Sequence, residues 1–302
     1  MKQYVIIITL ISALLGGSSC KEWLKVDSED RIMEDALFQS ESGFFTALNG
    51  VYVHLLNTNL YGRTLTAGTF DILAQYYDTT KPLNSHTYRS LANFELQAKK
   101  DAVADTWKEA YFLIANINTI LEHCENDRSV LSESNYELIK GECLALRAML
   151  HFEMFRIFGP IYSYEPGKVC IPYSDDTEKN VKPLLSAIDV VDKILTDLNQ
   201  AENLLLNVDP VITKGPQSSA EGNNRLRYRN LRLNYFAVQA LTARVYLYAG
   251  NTTEAGRYAR KVISGASKFF PFATREQVNG QAATGTVNRE AEDRIFSSEV
   301  LF

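Results

Sequence analysis

Apolar residues recur at three- and four-residue steps along most of this chain, which is the period of a helix with one buried face. Residues 40–57, "SESGFFTALNGVYVHLLN", open on a capping serine and gather Phe44, Phe45, Leu48, Val51, Tyr52 and Leu55 on one side. Residues 68–78, "GTFDILAQYYD", give a shorter candidate. Residues 101–125 are long and amphipathic, with Val103, Trp107, Tyr111, Ile114, Ile117 and Leu121 forming the apolar stripe, so Trp107 is expected in the core. Residues 132–160 predict a further helix, with Ser134 as its N-cap and Gly159-Pro160 as its stop. A fifth spans 186–205, opened by Ser186 with Asp189 three residues on, close to a capping box. Residues 232–264 read as helix, Gly-Asn turn, helix. Strand signals are scarce.

The connections are polar and long: 78–90, 161–183 and 208–227. Loops of this length in a compact domain tend to carry function or lack order. One stretch has a repeat signature. "LTARVYLYAGNTTEAGRYARKVI" fits the helix-turn-helix of a tetratricopeptide repeat, with Tyr246 in the first helix, Gly250 at the turn, and Ala243 and Ala255 small enough for close helix approach. The expected fold is therefore all-α, built of tetratricopeptide-like helix-turn-helix pairs stacked as an α-solenoid, with long irregular loops. An unrelated helical bundle is the alternative.

The beginning of the chain has a different pattern. Lys2 precedes the apolar run "YVIIITLISALL", which is too short to span a bilayer comfortably, and then Gly16–Ser19 and Cys20. This is the arrangement of a bacterial lipoprotein signal, relaxed in having Gly17 where leucine is usual. It predicts a signal peptide over 1–19, and Cys20 as a lipidated residue that begins the mature chain. A conventional secretory signal or an uncleaved anchor is the alternative. Four cysteines in all leave three after Cys20, too few for a disulfide scaffold. The net charge of −5 argues against a nucleic-acid partner. Sixteen Tyr and fifteen Phe exceed what a minimal core needs, so some are expected at the surface.

"GECLALRAMLHFEMFRIFGPIY" resembles the signature helix of SusD/RagB-type outer-membrane lipoproteins. Other landmarks occur in the family's order: "KEWLKV" after Cys20, "FFTALNGVY", "DTWKEAYFLIANINTIL", "VCIPYSDD", "VVDKILTDLNQAENLL", the pair at 233–263, and a terminal "SSEVLF". The resemblance covers nearly all of 20–302. Such proteins are usually longer, so 20–302 is expected to be the N-terminal part of the family fold. Cys143 stands where the signature more often has alanine. The resemblance implies a cell-surface glycan-binding lipoprotein, not an enzyme and needing no cofactor. It would be held at the outer membrane by its lipid anchor and would deliver ligand to a SusC-like TonB-dependent transporter. Some members take peptides instead. An envelope scaffold of helical repeats with no small ligand is the rival reading, and a secreted hydrolase is the third.

Residue chemistry narrows these. His54, His86, His123 and His151 are scattered; His123, Cys124, Cys143 and His151 form a metal set only if two helices gather them. No Gly-x-Ser-x-Gly elbow or phosphate loop is present. The acidic pairs Glu137/Glu142 and Asp189/Asp192 read as solvated faces or caps, and Asp175-Asp176 as a loop-solubilising pair or a group for sugar hydroxyls. Sugars stack their C–H faces on aromatic rings and bond their hydroxyls to charged and amide groups. The segment 71–89 has that composition in Tyr76, Tyr77, Asp78, Lys81, Asn84, His86, Tyr88 and Arg89. Its position in the resembled family is also ligand-facing. A hydrophilic loop with tyrosines packed on the core is the competing reading. Tyr162 and Tyr164 are a second candidate pair. Arg147, amid apolar neighbours, is expected to pair with Glu142 or Glu153.

Overall fold

The computed structural model describes residues 34–78, 88–95, 97, 100–217, 224–280, 292–293 and 295–302. Its helices are α1 (Glu41–Leu55), α2 (Thr69–Leu73), α3 (Arg89–Ala92), α4 (Lys100–Asn126), α5 (Glu133–Phe158), α6 (Ala187–Leu205), α7 (Val211–Lys214), α8 (Tyr235–Tyr248), α9 (Thr252–Ala266) and α10 (Arg275–Val278). Each long helix packs on the next along the chain: α1 on α4, α4 on α5, α5 on α6, α6 on α8, and α8 on α9. Short connections between α4 and α5, and between α8 and α9, force antiparallel pairs. The outcome is the tetratricopeptide-like stack that the periodicity predicts.

The predicted boundaries hold closely where a cap fixes them. Ser40 Oγ accepts from the Gly43 amide, Ser186 Oγ from Asp189, and the Asn234 and Asn251 side chains cap α8 and α9. The start of α5 differs: its N-cap is Ser132, not Ser134, and Ser132 makes no side-chain cap bond. The buried stripe of α4 is also rotated from the predicted one. Ala110, Leu113, Ile114, Ile117, Ile120 and Cys124 are buried, whereas Trp107, Tyr111 and Leu121 sit at the margin. Two partners, α1 and α5, flank α4, so its buried face is centred between them. Trp107, expected in the core, instead lines a surface cleft with Val103 and Phe158.

A feature absent from the sequence reading is a two-stranded antiparallel sheet, β1 (Val169–Pro172) with β2 (Leu184–Ser186), whose register slips between Val169 and Ile171. It packs on α5 and α6 and closes the loop between them at its base.

Helix α5 is the axis of the core. Residues 141–155 are buried without a break. A helix buried all round has to satisfy its polar side chains internally, because each unpaired one costs kilocalories. Glu142, read from sequence as a solvated or capping carboxylate, is instead buried and pairs with Arg229, which also forms a fork with Asp209 at 2.8 and 2.9 Å. Asp209 further accepts from the Val211 and Tyr235 amides, so α7 and α8 start from the same carboxylate. Burial alone disfavours the charge on Arg229, but Glu142 and Asp209 outweigh it and hold its pKa above the ordinary value.

Arg147 forms the second node. Its partner is neither Glu142 nor Glu153 but Asp197 of α6, held by two bonds of 2.7 and 2.8 Å. Glu153 is taken by Arg156 and Arg244. Arg147 also donates to Asn118 Oδ1 on α4 and to the Asp175 carbonyl, and Tyr173 donates to Asp197 at 2.6 Å. His151 stacks on the Tyr173 ring at 3.8 Å. Its Nδ1–H donates to the Arg147 carbonyl and its Nε2 accepts from the Ser174 amide, which defines a neutral tautomer. Burial pushes this imidazole down to about 3. Together these bonds pin the 173–176 loop across α4, α5 and α6.

Candidate functional site

The segment with sugar-binding composition folds into a small unit beside the stack. After α1 the chain coils through tight turns. Leu60 is fully buried there, and the turns are held by Thr64 Oγ1 donating to the Thr58 carbonyl and Thr106 Oγ1 of α4 donating to the Asn59 carbonyl. Gly68 ends this coil. A Cβ there would fall 2.6 Å from the Arg63 carbonyl, so the close turn into α2 requires glycine. Helices α2 and α3 then pack on each other through a satellite core of Ile72, Leu91 and Ala92, with Leu73 and Tyr88 against it. Gln75, in the left-handed region at φ 62°, donates its side-chain amide to the Ile72 and Ala92 carbonyls at 3.3 and 2.9 Å. That one side chain ties the ends of the two short helices together.

Above this satellite core lies an open cleft of about 460 Å³, lined by Arg63, Gly68, Ile72, Tyr77, Asp78 and Tyr88, with Ala67. Tyr77, Asp78 and Tyr88 of the predicted set thus converge on one cavity. Tyr76 is 76% exposed and, like the exposed Arg89, is not among the lining residues. Lys81, Asn84 and His86 lie outside the described residues, as does Cys20. Arg63 escaped the sequence reading because it belongs to the preceding coil. Its placement in "LYGRTLTAG" carries no signal until the turn at Gly68 brings that coil to the cleft.

The cavity size suits a small ligand. Two phenol rings supply flat apolar faces, and a guanidinium and a carboxylate supply donors and acceptors. This is a chemistry of stacking and hydroxyl pairing. No cluster of three or more metal-ligating side chains occurs among the described residues. The proposed quartet is separated by use: His123 pairs with Asp127 and Glu34 and stacks on Phe38, while His151 is committed to the 173–176 loop. Cys124, Cys143 and Cys170 are free thiols, and burial pushes Cys124 up to about 12. Asp175 and Asp176 pair with Lys193 and Lys182 at the surface. Of the second aromatic pair, Tyr162 leans on Phe155 and Tyr164 is 81% exposed.

Comparison with known proteins sets this chain in a family. A sequence family of SusD-like proteins, described as starch-binding and associating with the outer membrane, matches residues 22–222. The chain belongs to the SusD-like family. SusD-like protein P25 of Formosa agariphila is 25% identical over 225 residues, covering 70% of this chain and 40% of that protein. SusD-like protein P38 of the same organism is 27% identical over 210 residues, covering 68% and 39%. Among solved structures, a SusD-like carbohydrate binding protein from Bacteroides vulgatus superposes with a TM-score of 0.62 at 21% identity, over 80% of this chain and 48% of that one. A SusD homolog from Bacteroides thetaiotaomicron gives 0.60 at 17% identity, over 89% and 51%. These likenesses establish the fold. The chain spans about 40% of the length of the curated relatives it matches and about half that of the solved structures. SusD-like proteins are binding proteins rather than enzymes, as the resemblance implies.

Proposed function

We propose that this chain binds carbohydrate at the cell surface through the cleft between α2, α3 and the coil before α2. In this reading it delivers an oligosaccharide to a SusC-like TonB-dependent transporter of the outer membrane. The observation that carries the reading is the convergence of Tyr77, Tyr88, Asp78 and Arg63 on one open cavity in a chain of the SusD-like family. Tyr77 and Tyr88 offer their faces to sugar C–H groups, and Arg63 and Asp78 meet hydroxyls. A cleft with polar groups at its rim suits a ligand whose every ring carries both kinds of surface. Cys20, as a lipidated residue, would hold the stack at the membrane surface. Among the described residues no helix is long and apolar enough to cross a membrane.

Affinity electrophoresis of the full chain through gels carrying different polysaccharides tests this. Retardation by at least one glycan is expected. The Tyr77→Ala/Tyr88→Ala double variant should lose it by at least about tenfold in affinity, the equivalent of about 1.4 kcal/mol. Retardation that survives in a folded double variant moves the site elsewhere. Absence of retardation on every glycan favours the scaffold reading. Mass spectrometry of the membrane-extracted protein reads the acyl chains on Cys20.

A further inference from the structure

Of the residues that wall the cleft between α2, α3 and the preceding coil, Arg63 and Asp78 carry charge. They differ in what they already hold. Asp78 is engaged in an interaction of its own, as is Tyr88. Among the described residues, no carboxylate, amide or carbonyl bonds the Arg63 guanidinium. By contrast, Arg128, Arg147, Arg156, Arg229, Arg244 and Arg257 each pair with a carboxylate. Arg89 and Arg260 are also exposed and unpaired among the described residues, but they stand outside this cleft. An exposed arginine solvated by water is ordinary. Arg63 is set apart by how it is held and by what stands beside it. Its carbonyl accepts from the Thr66 amide and from Thr66 Oγ1, both at 3.2 Å. Its stem runs beside Gly68, where a Cβ would lie 3.1 Å from the Arg63 Cγ. The glycine thus makes room for this side chain as well as for the turn. Tyr77, which is 47% exposed, and Tyr88 line the same cavity.

A guanidinium presents a planar fork of donors that matches a carboxylate or a sulfate through two parallel bonds, and such charge-assisted pairs are about twice as strong as neutral ones. A hydroxyl takes one donor of the fork and leaves the charge uncompensated. The full complement of a held, unpaired guanidinium beside two phenol rings is therefore a sugar ring that carries an anionic group. We propose that the glycan taken by this cleft is an acidic one, its carboxylate or sulfate docked on the Arg63 guanidinium while a ring face stacks on Tyr77 or Tyr88. The inference rests on the reading of the cleft as the sugar site and names the class of sugar. Asp78, of opposite sign, disfavours the anionic group near itself and accepts from hydroxyls, so the ring has one preferred orientation.

Matched polysaccharides that differ in charge alone test this on the full chain at physiological ionic strength. Polygalacturonate and alginate are each set against their carboxyl-reduced forms, and carrageenan against its desulfated form, so the two arms separate a carboxylate from a sulfate. At least one acidic member is expected to bind about tenfold or more tighter than its neutral counterpart. The net charge of −5 opposes a general attraction to polyanions, so such a preference has to be local. Arg63→Gln is expected to bring the ratio of acidic to neutral affinity near one with the Tm unaltered, and Arg63→Lys, which keeps the charge without the fork, to retain part of it. Arg260→Gln, outside the cleft, should leave the ratio as it is. Neutral glycans bound as tightly as their acidic counterparts overturn the acidic assignment and leave the sugar reading standing. A preference that survives Arg63→Gln, or that falls equally with Arg260→Gln, also overturns it. If no polysaccharide of either kind binds, the sugar reading itself fails and this inference falls with it.

Discussion

The helical stack and the α2–α3 unit solve the same packing problem at different strengths. The stack buries α5 on all sides and ties three or more elements at each of two arginine nodes. Among the described residues, the α2–α3 unit rests on three buried apolar residues, with Leu73 and Tyr88 against them, and one glutamine. A region held by few contacts opens locally at small cost, and ligand sites are drawn from that end of the stability range. On the proposed reading the difference is a division of labour: the stack sets where the cleft stands, and the small unit sets what it fits.

The comparison breaks most visibly at Arg229. Replacing it by Met leaves Glu142 and Asp209 buried without a counter-charge, and about 3–5 kcal/mol of stability should go. For a domain of this size that lowers Tm by roughly 10 °C. Thermal unfolding followed by circular dichroism reads it, and a loss below about 1 kcal/mol would mean that the node contributes little.

A smaller effect, with a pH signature, comes from His151. Its folded pKa is depressed from 6.5 to about 3, so the unfolded chain binds the proton first. Stability tied to the neutral ring is therefore complete above pH 6.5 and lost as pH falls toward 3. Between pH 6.5 and 5, before the carboxylates titrate, the loss should be about 2 kcal/mol, at about 1.4 kcal/mol per pH unit. Urea unfolding at both pH values should show this slope in the wild type and not in His151→Phe. Equal slopes would contradict the neutral, clamped ring.

Gln75→Ala sharpens the contrast from the other side. It removes two side-chain hydrogen bonds of about 1 kcal/mol each at most. Amide exchange in α2 and α3 should quicken by about fivefold or more, while the Tm of the stack stays within about 2 °C. A Tm that falls with the exchange rates would show that the two regions unfold together.

The long helices were legible because their caps and periodicity are local properties. Ser40, Ser186, Asn234 and Asn251 each act within three residues of themselves. The buried ion pairs were not legible. Arg147 and Asp197 stand 50 residues apart and Arg229 and Glu142 stand 87 apart, and nothing in either neighbourhood names the partner. Charge within an apolar stretch announced that Arg147 needed a carboxylate, but the nearest ones were already taken by Arg229, Arg156 and Arg244. The same limit explains Trp107: period shows that a helix has an apolar face, and only the neighbours fix where its centre lies. The strand pair was too short and too far apart in sequence to show. Aromatic and charged composition singled out Tyr77, Asp78 and Tyr88, which line one cleft, whereas Arg63 reaches that cleft through a turn that only the fold displays.

The left-handed residues Gln75 and Phe94 each follow a short helix, one leaving α2 and one leaving α3. No described residue between them is among the side-chain partners of Arg147 or Arg229. On the proposed reading of the cleft, a library diversified over 76–88, displayed on an otherwise unaltered carrier, is the economical way to select new sugar preferences, and the carrier's melting curve would serve as a common quality control for every clone.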